Sequence, residues 1–149
     1  PIQKVKSVSN ETTLDGDIAN YKALKKHLWQ LCEKLSARLK QKHLSAKTVT
    51  LKLKTSNFRS ISRSVSISSP TQMAEILYTQ GKFLLKPECS GLKYRLIGIG
   101  VSKFSNDQDA DMPDLIDPVM DNKIKTEKAM DRIRDRFGSH IINKGRTLT

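Results

Sequence analysis

Hydrophobic and polar residues alternate through two consecutive stretches of the chain, residues 48–54 and 60–67. Side chains of a β-strand point alternately to opposite faces, so this period of two predicts two half-buried strands joined by a turn at residues 55–57. The hydrophobic face of both strands is aliphatic, with Val49, Leu51, Leu53, Ile61, Val65 and Ile67. The polar face carries hydroxyl and ammonium groups, from Thr48, Thr50, Lys52, Lys54, Ser60, Ser62, Ser64 and Ser66. No acidic residue occurs between Lys47 and Glu75, and a face of hydroxyls and cations suits a phosphate backbone.

Two further segments have apolar residues spaced by three and four, which is the pattern of amphipathic helices. The first extends from Asp17 to about Lys42, and either Asp15 or Asp17 is expected to cap its start. The second begins around Pro70, a residue suited to the first turn of a helix, and ends before Pro87. Its core face is expected to contain Met73, Ile76, Leu77, Phe83 and Leu84.

Extended segments at residues 3–13 and 93–103 flank these four elements. The sequence therefore predicts an α+β fold of order β-α-β-β-α-β, a four-stranded antiparallel-type sheet with two helices on one face. The other face is expected to stay open and free of acids, because only the aliphatic side offers apolar surface to bury. In the last strand the open-face positions are Gly98, Gly100 and Ser102. Either the glycines mark a bulge or a tight helix contact, or they let another backbone, such as that of a nucleic acid, approach closely.

Positive charge is concentrated in the first two-thirds of the chain. Residues 1–104 hold 19 Lys and Arg against six Asp and Glu, or +13, whereas residues 105–149 hold eight against nine. Such an excess indicates a polyanionic partner, DNA, RNA or an anionic membrane, with a merely soluble basic protein as the alternative. The change of charge divides the chain into a sheet domain at 1–104, an acidic linker or arm at 105–118, and a C-terminal helix and tail at 119–149.

Motifs of catalysis and of metal binding are missing from this sequence. It has no metal-ligand spacing, no nucleophile elbow and no phosphate-binding glycine loop, so we expect no enzymatic activity and no cofactor for this chain alone. No apolar run approaches the roughly 18 residues of a membrane span, and no signal peptide is visible. Cys32 and Cys89 lie outside any CxxC motif and are expected to be buried thiols in a reducing compartment, with a disulfide as the alternative. The chain starts at Pro1, almost within a strand, and we expect it to be a piece of a larger protein.

Aromatic residues are few, with four Phe, three Tyr and one Trp. RNA-recognition sheets stack bases on strand aromatics, and the predicted open face carries almost none. Its composition favours duplex binding through the backbone, with little sequence preference. Arg59 and Arg63 depart from this pattern, because strict alternation places them toward the helices. For Arg63 two interpretations stay open, a DNA contact from a strand end or bulge and a structural ion pair.

Three stretches carry a resemblance to a known family: KSVSNETT at residues 6–13, LKLK and FRSISRS within residues 51–64, and YRLIGIGVS at residues 94–102. Together they resemble the little-finger domain of Y-family translesion DNA polymerases, with bacterial DNA polymerase IV as the closest type. The similarity covers residues 3–104 in the same order and spacing. It implies that this chain holds duplex DNA for a parent DNA-directed DNA polymerase that copies past lesions. The Mg²⁺-binding catalytic carboxylates of that family lie in a palm domain, which would precede Pro1.

The resemblance also implies particular site residues. Those expected to contact phosphates are Ser7, Ser9, Lys52, Lys54, Ser60, Ser62, Arg63, Ser64, Gly98, Gly100, Ser102 and Lys103. Family members bind a ring-shaped sliding clamp through a short peptide, which is similar to Met112, Asp114, Leu115 and Ile116 here. Met112 replaces the usual glutamine and Ile116 the usual aromatic residue, so an acidic linker packed on the domain is the alternative. We expect a cytoplasmic, nucleoid-associated monomer that binds duplex DNA and no membrane.

Two other functions stay open from the sequence. The chain is alternatively an RNA-binding module, or a protein-interaction adaptor that works mainly through residues 112–116. A preference for single-stranded RNA over duplex DNA would favour the first. Clamp binding that survives alanine at Leu115 and Ile116 would remove the second.

Overall fold

The computed structural model describes residues 6–106 and 118–137. Its elements are, in chain order, β1 (Ser7–Ile18), α1 (Tyr21–Gln41), β2 (Leu44–Thr55), β3 (Ser60–Thr71), α2 (Ala74–Leu85), β4 (Tyr94–Asn106) and α3 (Pro118–Phe137). A 3-10 turn at Lys86–Glu88 follows α2. The predicted order β-α-β-β-α-β and the C-terminal helix are confirmed.

The four strands form one antiparallel sheet in the order β1-β4-β2-β3. β4 follows the other described strands in the sequence but lies between β1 and β2 in the sheet. It therefore pairs with both of them. Helices α1 and α2 cover one face of the sheet, and the strand side chains of the buried core are Val8, Leu14, Leu44, Ala46, Val49, Leu51, Leu53, Tyr94, Ile97, Ile99 and Val101. The predicted architecture, with helices on one face and the other face open, is therefore confirmed.

The buried side of α1 follows the predicted three- and four-residue spacing. Its core residues are Leu24, Leu28, Leu31, Leu35 and Leu39. Trp29 of α1 meets Tyr78 of α2 edge to face, with ring centroids 5.1 Å apart and planes at 72°. Each large apolar side chain that is fully buried stabilises the fold by about 1.5–3 kcal/mol, so this stripe attaches the helices to the sheet.

The start of α1 differs from the prediction. β1 continues past the expected turn, and its register against β4 shifts in the segment that contains Gly16, whose φ is +82°. Asp15 and Asp17 belong to that strand, and neither caps the helix. The cap is Asn20, whose Oδ1 accepts a hydrogen bond from the backbone N–H of Lys22 at 2.8 Å. The prediction of an aspartate cap is wrong because strand pairing extends beyond the aspartates.

The start and one face of α2 also differ from the prediction. Pro70 lies in β3, and the helix begins only at Ala74, after Met73, whose side chain caps nothing. Phe83 is 69% exposed and does not belong to the core. The buried stripe of α2 consists of Ala74, Glu75, Leu77, Tyr78, Gly81, Leu84 and Leu85. Because this stripe is centred away from residue 83, the aromatic ring points to solvent.

One glutamate of helix α3, Glu127, contacts both of the other helices and is 4% exposed. Its carboxylate accepts hydrogen bonds from the backbone N–H groups of Ala74 at 2.9 Å and of Glu75 at 3.1 Å, the first two residues of α2. The ammonium group of Lys40 in α1 lies 2.6 Å from this carboxylate and 2.6 Å from that of Asp131. Because α2 has no side-chain cap of its own, Glu127 supplies both the missing acceptor and a negative charge at the helix N-terminus.

Candidate nucleic-acid interface

The register of the sheet arranges the side chains of the open face in four rows. Each row crosses the strands in the order β1, β4, β2, β3. The first two rows are Ser7, Ser102, Thr48 and Ser66, and then Ser9, Gly100, Thr50 and Ser64. The next two are Glu11, Gly98, Lys52 and Ser62, and then Thr13, Leu96, Lys54 and Ser60. All predicted phosphate-contacting residues except Arg63 and Lys103 therefore share one surface.

Gly98 and Gly100 accommodate a close approach of β1. A Cβ added to Gly98 would lie 2.9 Å from the Cβ of Glu11, and one added to Gly100 would lie 3.0 Å from the Cβ of Ser9. Directly opposed Cβ atoms of antiparallel strands are normally about 4.5–5.5 Å apart, so β1 approaches β4 unusually closely on this face. The register is continuous at both glycines, and the atoms met are those of β1 and not of a helix. Gly98 is buried and Gly100 half-buried, and their contact with a phosphate stays a prediction.

Hydroxyl groups link β2 and β3 across the open face. Thr50 Oγ1 and Ser64 Oγ are 2.8 Å apart, and Thr48 Oγ1 and Ser66 Oγ are 3.3 Å apart. In each pair either oxygen is able to donate. A hydroxyl has one donor and two acceptor sites, so the accepting member of each pair keeps its own O–H for a ligand. The face thus presents small donors to any phosphate oxygen that reaches it.

Lysine side chains occupy both the rows and one end of the face. Within the rows, Lys52 is exposed and Lys54 is half-exposed. Beyond the first row, the next position along β4 and along β2 is an exposed lysine, Lys103 and Lys47 respectively. Positive charge therefore extends from the third and fourth rows to the opposite end of the face.

Lys103 lies at a local distortion of the sheet, with φ of +61°. Val101 is buried, and Phe104, three residues later, packs against the core. On the neighbouring strand, Ala46 and Val49 are buried with the same three-residue step. On each strand, two residues instead of one separate consecutive core positions. The extra residue interrupts the strict alternation, and an exposed lysine, Lys103 or Lys47, lies in the gap.

One carboxylate also lies in the rows. Glu11 is exposed in the third row, opposite Gly98. Residues 48–67 are free of acids, but the extension of this property to the whole open face is wrong, because β1 brings Glu11 into it. The charge of the open face is therefore not uniformly positive.

Arg63 lies outside the open face. It is opposite the buried Leu51 in the β2–β3 ladder, and its Nε is 3.3 Å from Oε2 of Glu88. Its Nη1 also donates to the carbonyl of Ser62 at 2.9 Å. The register is continuous over residues 48–54, so no bulge turns the guanidinium toward the rows. Of the two interpretations, the structure shows the ion pair, while a DNA contact by Arg63 stays a prediction.

Residues 5–114 match the profile of the impB/mucB/samB family C-terminal domain. This chain belongs to that family. It is 44% identical over 148 residues to "DNA polymerase IV 1" of Mesorhizobium japonicum, an alignment that covers 99% of this chain and 34% of that protein. It is 39% identical over 149 residues to "DNA polymerase IV" of Brucella melitensis, covering 100% of this chain and 34% of that protein. The chain thus spans about a third of the length of these curated relatives.

Solved structures with the same fold include little-finger domains. A "Y-family DNA polymerase chimera Dbh-Dpo4(243-245)-Dbh" superposes with a TM-score of 0.59 at 14% identity, over 66% of this chain and 28% of that one. A "Complex of beta-clamp processivity factor and little finger domain of PolIV" gives a TM-score of 0.56 at 20% identity, over 71% of this chain and 96% of that one. The sheet domain therefore has the little-finger fold of Y-family DNA polymerases, and the resemblance drawn from the sequence is confirmed.

The part of this little finger that the structure describes contains free cysteines but no metal-binding cluster and no helix able to span a membrane. Among residues 6–106 and 118–137, no group of three or more His, Cys, Asp or Glu is arranged to hold a metal ion. No helix in the same part of the chain is long and apolar enough to cross a membrane. Cys32 is buried and Cys89 half-buried, and both are free thiols. The predicted clamp-binding residues, Met112, Asp114, Leu115 and Ile116, lie outside the described residues.

Sequence reasoning missed two charged residues of this little finger's open face. Strict alternation does not predict Lys47 on this face, because the apolar residues Ala46 and Val49 are three positions apart; that step is the sequence signal of the interruption. The acid-free stretch covers β2 and β3 alone, so it gives no information on Glu11 of β1. Its signal was a spacing of two from Ser9, which is itself a predicted open-face residue.

Proposed function

We propose that this little finger binds duplex DNA through its open sheet face, without sequence preference, as part of a translesion DNA polymerase. The observation that carries the proposal is the four-row face of hydroxyls, glycines and lysines on the side of the sheet opposite α1 and α2. The names of the relatives support a polymerase as the parent. Because this chain spans about a third of those relatives, lesion bypass and DNA synthesis are proposed for the parent protein.

Contact with the sugar–phosphate backbone accounts for the composition of the face. Serine and threonine hydroxyls donate to phosphate oxygens, and lysine ammonium groups attract them over a longer range. The four rows contain no aromatic side chain on which a base could stack, which disfavours a single-stranded RNA module.

The metal-dependent step is assigned to the rest of the parent protein. Nucleotidyl transfer uses Mg²⁺ held by carboxylates and substrate phosphates, and the described residues include no such carboxylate cluster. The role left to this chain is to hold and orient the duplex. We place the parent in the bacterial cytoplasm, at the nucleoid, with the little finger as a monomer.

Titration of a short labelled duplex at several salt concentrations tests the DNA-binding proposal. Each phosphate that a lysine neutralises contributes about 0.9 to the slope of log affinity against log salt. We therefore expect Lys52→Ala to weaken binding about threefold and to reduce the slope by about 0.9. The matched control is Lys34→Ala, an exposed lysine of α1, which should change neither quantity.

Three results would contradict the proposal. They are duplex binding that does not depend on salt, equal losses from Lys52→Ala and Lys34→Ala, and strong preference for one DNA sequence. Competition with single-stranded RNA decides the alternative, since RNA that displaces the duplex efficiently would identify an RNA-binding module.

A sliding clamp is the second partner that we propose. One of the similar solved structures is a little finger in complex with a clamp processivity factor, and residues 112–116 are similar to a clamp-binding peptide. Replacement of Leu115 and Ile116 by alanine should abolish binding to the clamp of the same organism. Leu92→Ala, which removes an exposed leucine elsewhere, should leave binding intact. Undiminished binding of the double variant would assign the contact to another surface.

A further inference from the structure

Glu11 is the one acidic side chain in the four rows of the open face. It is exposed and lies in β1, opposite Gly98 of the central strand β4. On the other side of Gly98, the next residue in the same row is Lys52 of β2. A carboxylate and an ammonium group therefore flank a single glycine.

Because Gly98 has no side chain, the carboxylate of Glu11 and the ammonium group of Lys52 are able to approach each other. Neighbouring strands are about 4.8 Å apart, so the α-carbons of Glu11 and Lys52 are separated by about two such spacings. Nothing projects from Gly98 between them, and the close approach of β1 moves Glu11 further toward the centre, since its Cβ would lie 2.9 Å from a Cβ on Gly98. Both side chains are long and flexible enough to place their charged ends above this glycine.

We propose that Glu11 is a built-in competitor that weakens the hold of this face on phosphate, chiefly at Lys52. The inference rests on the proposed DNA-binding function. A phosphate that approaches Lys52 meets a carboxylate of its own sign within the same row, so the net attraction at the third row is small. Lys47 and Lys103, beyond the first row, have no acid among the row residues next to them. The duplex is thus held firmly at one end of the face and loosely in the middle.

A loose central contact has a consequence for a protein that must move along DNA. A domain that follows a growing primer has to release and re-form its phosphate contacts after each nucleotide. An internal carboxylate that competes with the phosphate makes each contact weak. The domain therefore stays bound for a shorter time at each position along the DNA. Glu11 therefore affects the rate at which the duplex is released more than it affects where the duplex binds.

The alternative role for Glu11 is structural, because its Cβ fills the space above Gly98. Glu11→Gln separates the two roles, since glutamine keeps the Cβ and the shape but loses the charge. The matched control is Asp135→Asn, which makes the same change of net charge on the exposed surface of α3. Thermal melts of both variants confirm that each is folded.

The experiment measures affinity and dissociation rate of the same duplex for wild type and both variants at low salt. We expect Glu11→Gln to raise affinity about three- to fivefold, mainly through slower dissociation, and Asp135→Asn to change it by less than about 1.5-fold. In a Lys52→Ala background the gain from Glu11→Gln should shrink. If wild type binds but Glu11→Gln gains no more than Asp135→Asn, the competitor role is overturned and the proposed function stands. A wild type that does not bind duplex overturns both.

Discussion

The junction of the three helices and the open face of the sheet both carry glutamates, in opposite surroundings. Glu127 in the junction is 4% exposed and accepts hydrogen bonds from two backbone N–H groups and from Lys40. Glu11 on the open face is exposed beside a bare glycine. Burial makes an unpartnered charge costly, so the charges of the junction are paired within the fold, whereas those of the open face are in contact with water. The two regions should therefore respond differently to substitution, the junction in stability and the face in binding.

Removal of the buried carboxylate should produce the largest effect. Glu127→Ala leaves the first two N–H groups of α2 without their acceptor and leaves Lys40 with Asp131 alone. Breaking a buried charged pair costs about 3–5 kcal/mol and losing a helix cap about 0.5–2 kcal/mol. Since Lys40 keeps one partner, we expect a loss of about 3 kcal/mol in the free energy of unfolding, measured by urea denaturation.

Asp135→Ala is the control for this substitution, because it removes an exposed acid from the same helix. It should change the free energy of unfolding by less than about 0.5 kcal/mol. A loss below about 1 kcal/mol for Glu127→Ala would show that α3 is not needed to cap α2, and the contrast between junction and face would disappear.

Gly98→Ala tests a position of the open face at which packing against β1, and not binding of a ligand, requires glycine. The added methyl group would lie 2.9 Å from Cβ of Glu11 and 3.3 Å from the carbonyl oxygen of Asn10. Overfilling of this kind typically costs about 1–3 kcal/mol, and we expect about 2 kcal/mol by urea denaturation. Combination with Glu11→Gly, which removes the opposing Cβ, should recover about half of that loss. Additive losses in the double variant would mean that β1 does not press on Gly98.

The contrast between the two regions also explains what the sequence predicts and what it does not. Alternation on β2 and leucine spacing on α1 are local patterns with periods of two and about 3.6, so the strands, the helix and the open face follow from them. The cap of α2 by Glu127 joins residues 53 and 52 positions apart, and no local pattern encodes that distance. Locally, the sequence indicates only that a cap is lacking, because Met73 occupies the position where a capping side chain is usual.

At the site, the sequence predicts which residues share the face but not how the strands approach each other. The placement of Ser60, Ser62 and Ser64 of β3 on the open face follows from alternation alone. The close contact of Gly98 with β1 depends on strand order, which places β4 beside β1 and which alternation leaves open. Alternation predicts that Arg63 lies toward the helices, but its position opposite Leu51 and its ion pair with Glu88, from the turn after α2, are visible only in the structure.

Alkaline pH should weaken the junction through the thiol of Cys32. Burial, and then the nearby charges of Glu127, Glu33 and Glu75, raise the pKa of this thiol well above its ordinary value of 9.0. Above about pH 9 the unfolded chain loses the proton while the folded chain keeps it, so the unfolded state binds fewer protons and stability falls as pH rises. The expected slope approaches about 1.4 kcal/mol per pH unit for this one group.

Cys32→Ala separates this group from the other groups that titrate in the same range. Cys89, Tyr21 and Tyr94 also have a raised pKa, mainly through burial, and they remain in the variant. The difference in free energy of unfolding between wild type and Cys32→Ala should therefore be constant from about pH 6 to 8 and shrink above about pH 9. A difference that stays constant to high pH would show that the thiol is accessible to water in the folded protein.

The smallest effect on stability is expected from Ser64→Ala on the open face, although Thr50 and Ser64 form the shorter of the two hydroxyl pairs at 2.8 Å. Both hydroxyls are in contact with water, which replaces the lost partner, so the free energy of unfolding should change by less than about 0.5 kcal/mol. A hydroxyl that donates to a phosphate does matter for binding, and we expect duplex affinity to fall about two- to threefold in the same variant. Thr79→Ser, which keeps a hydroxyl on α2 away from the face, should alter neither measurement beyond error. A marked loss of stability without loss of affinity in Ser64→Ala would make the hydroxyl pair part of the fold, and the open face would then resemble the junction.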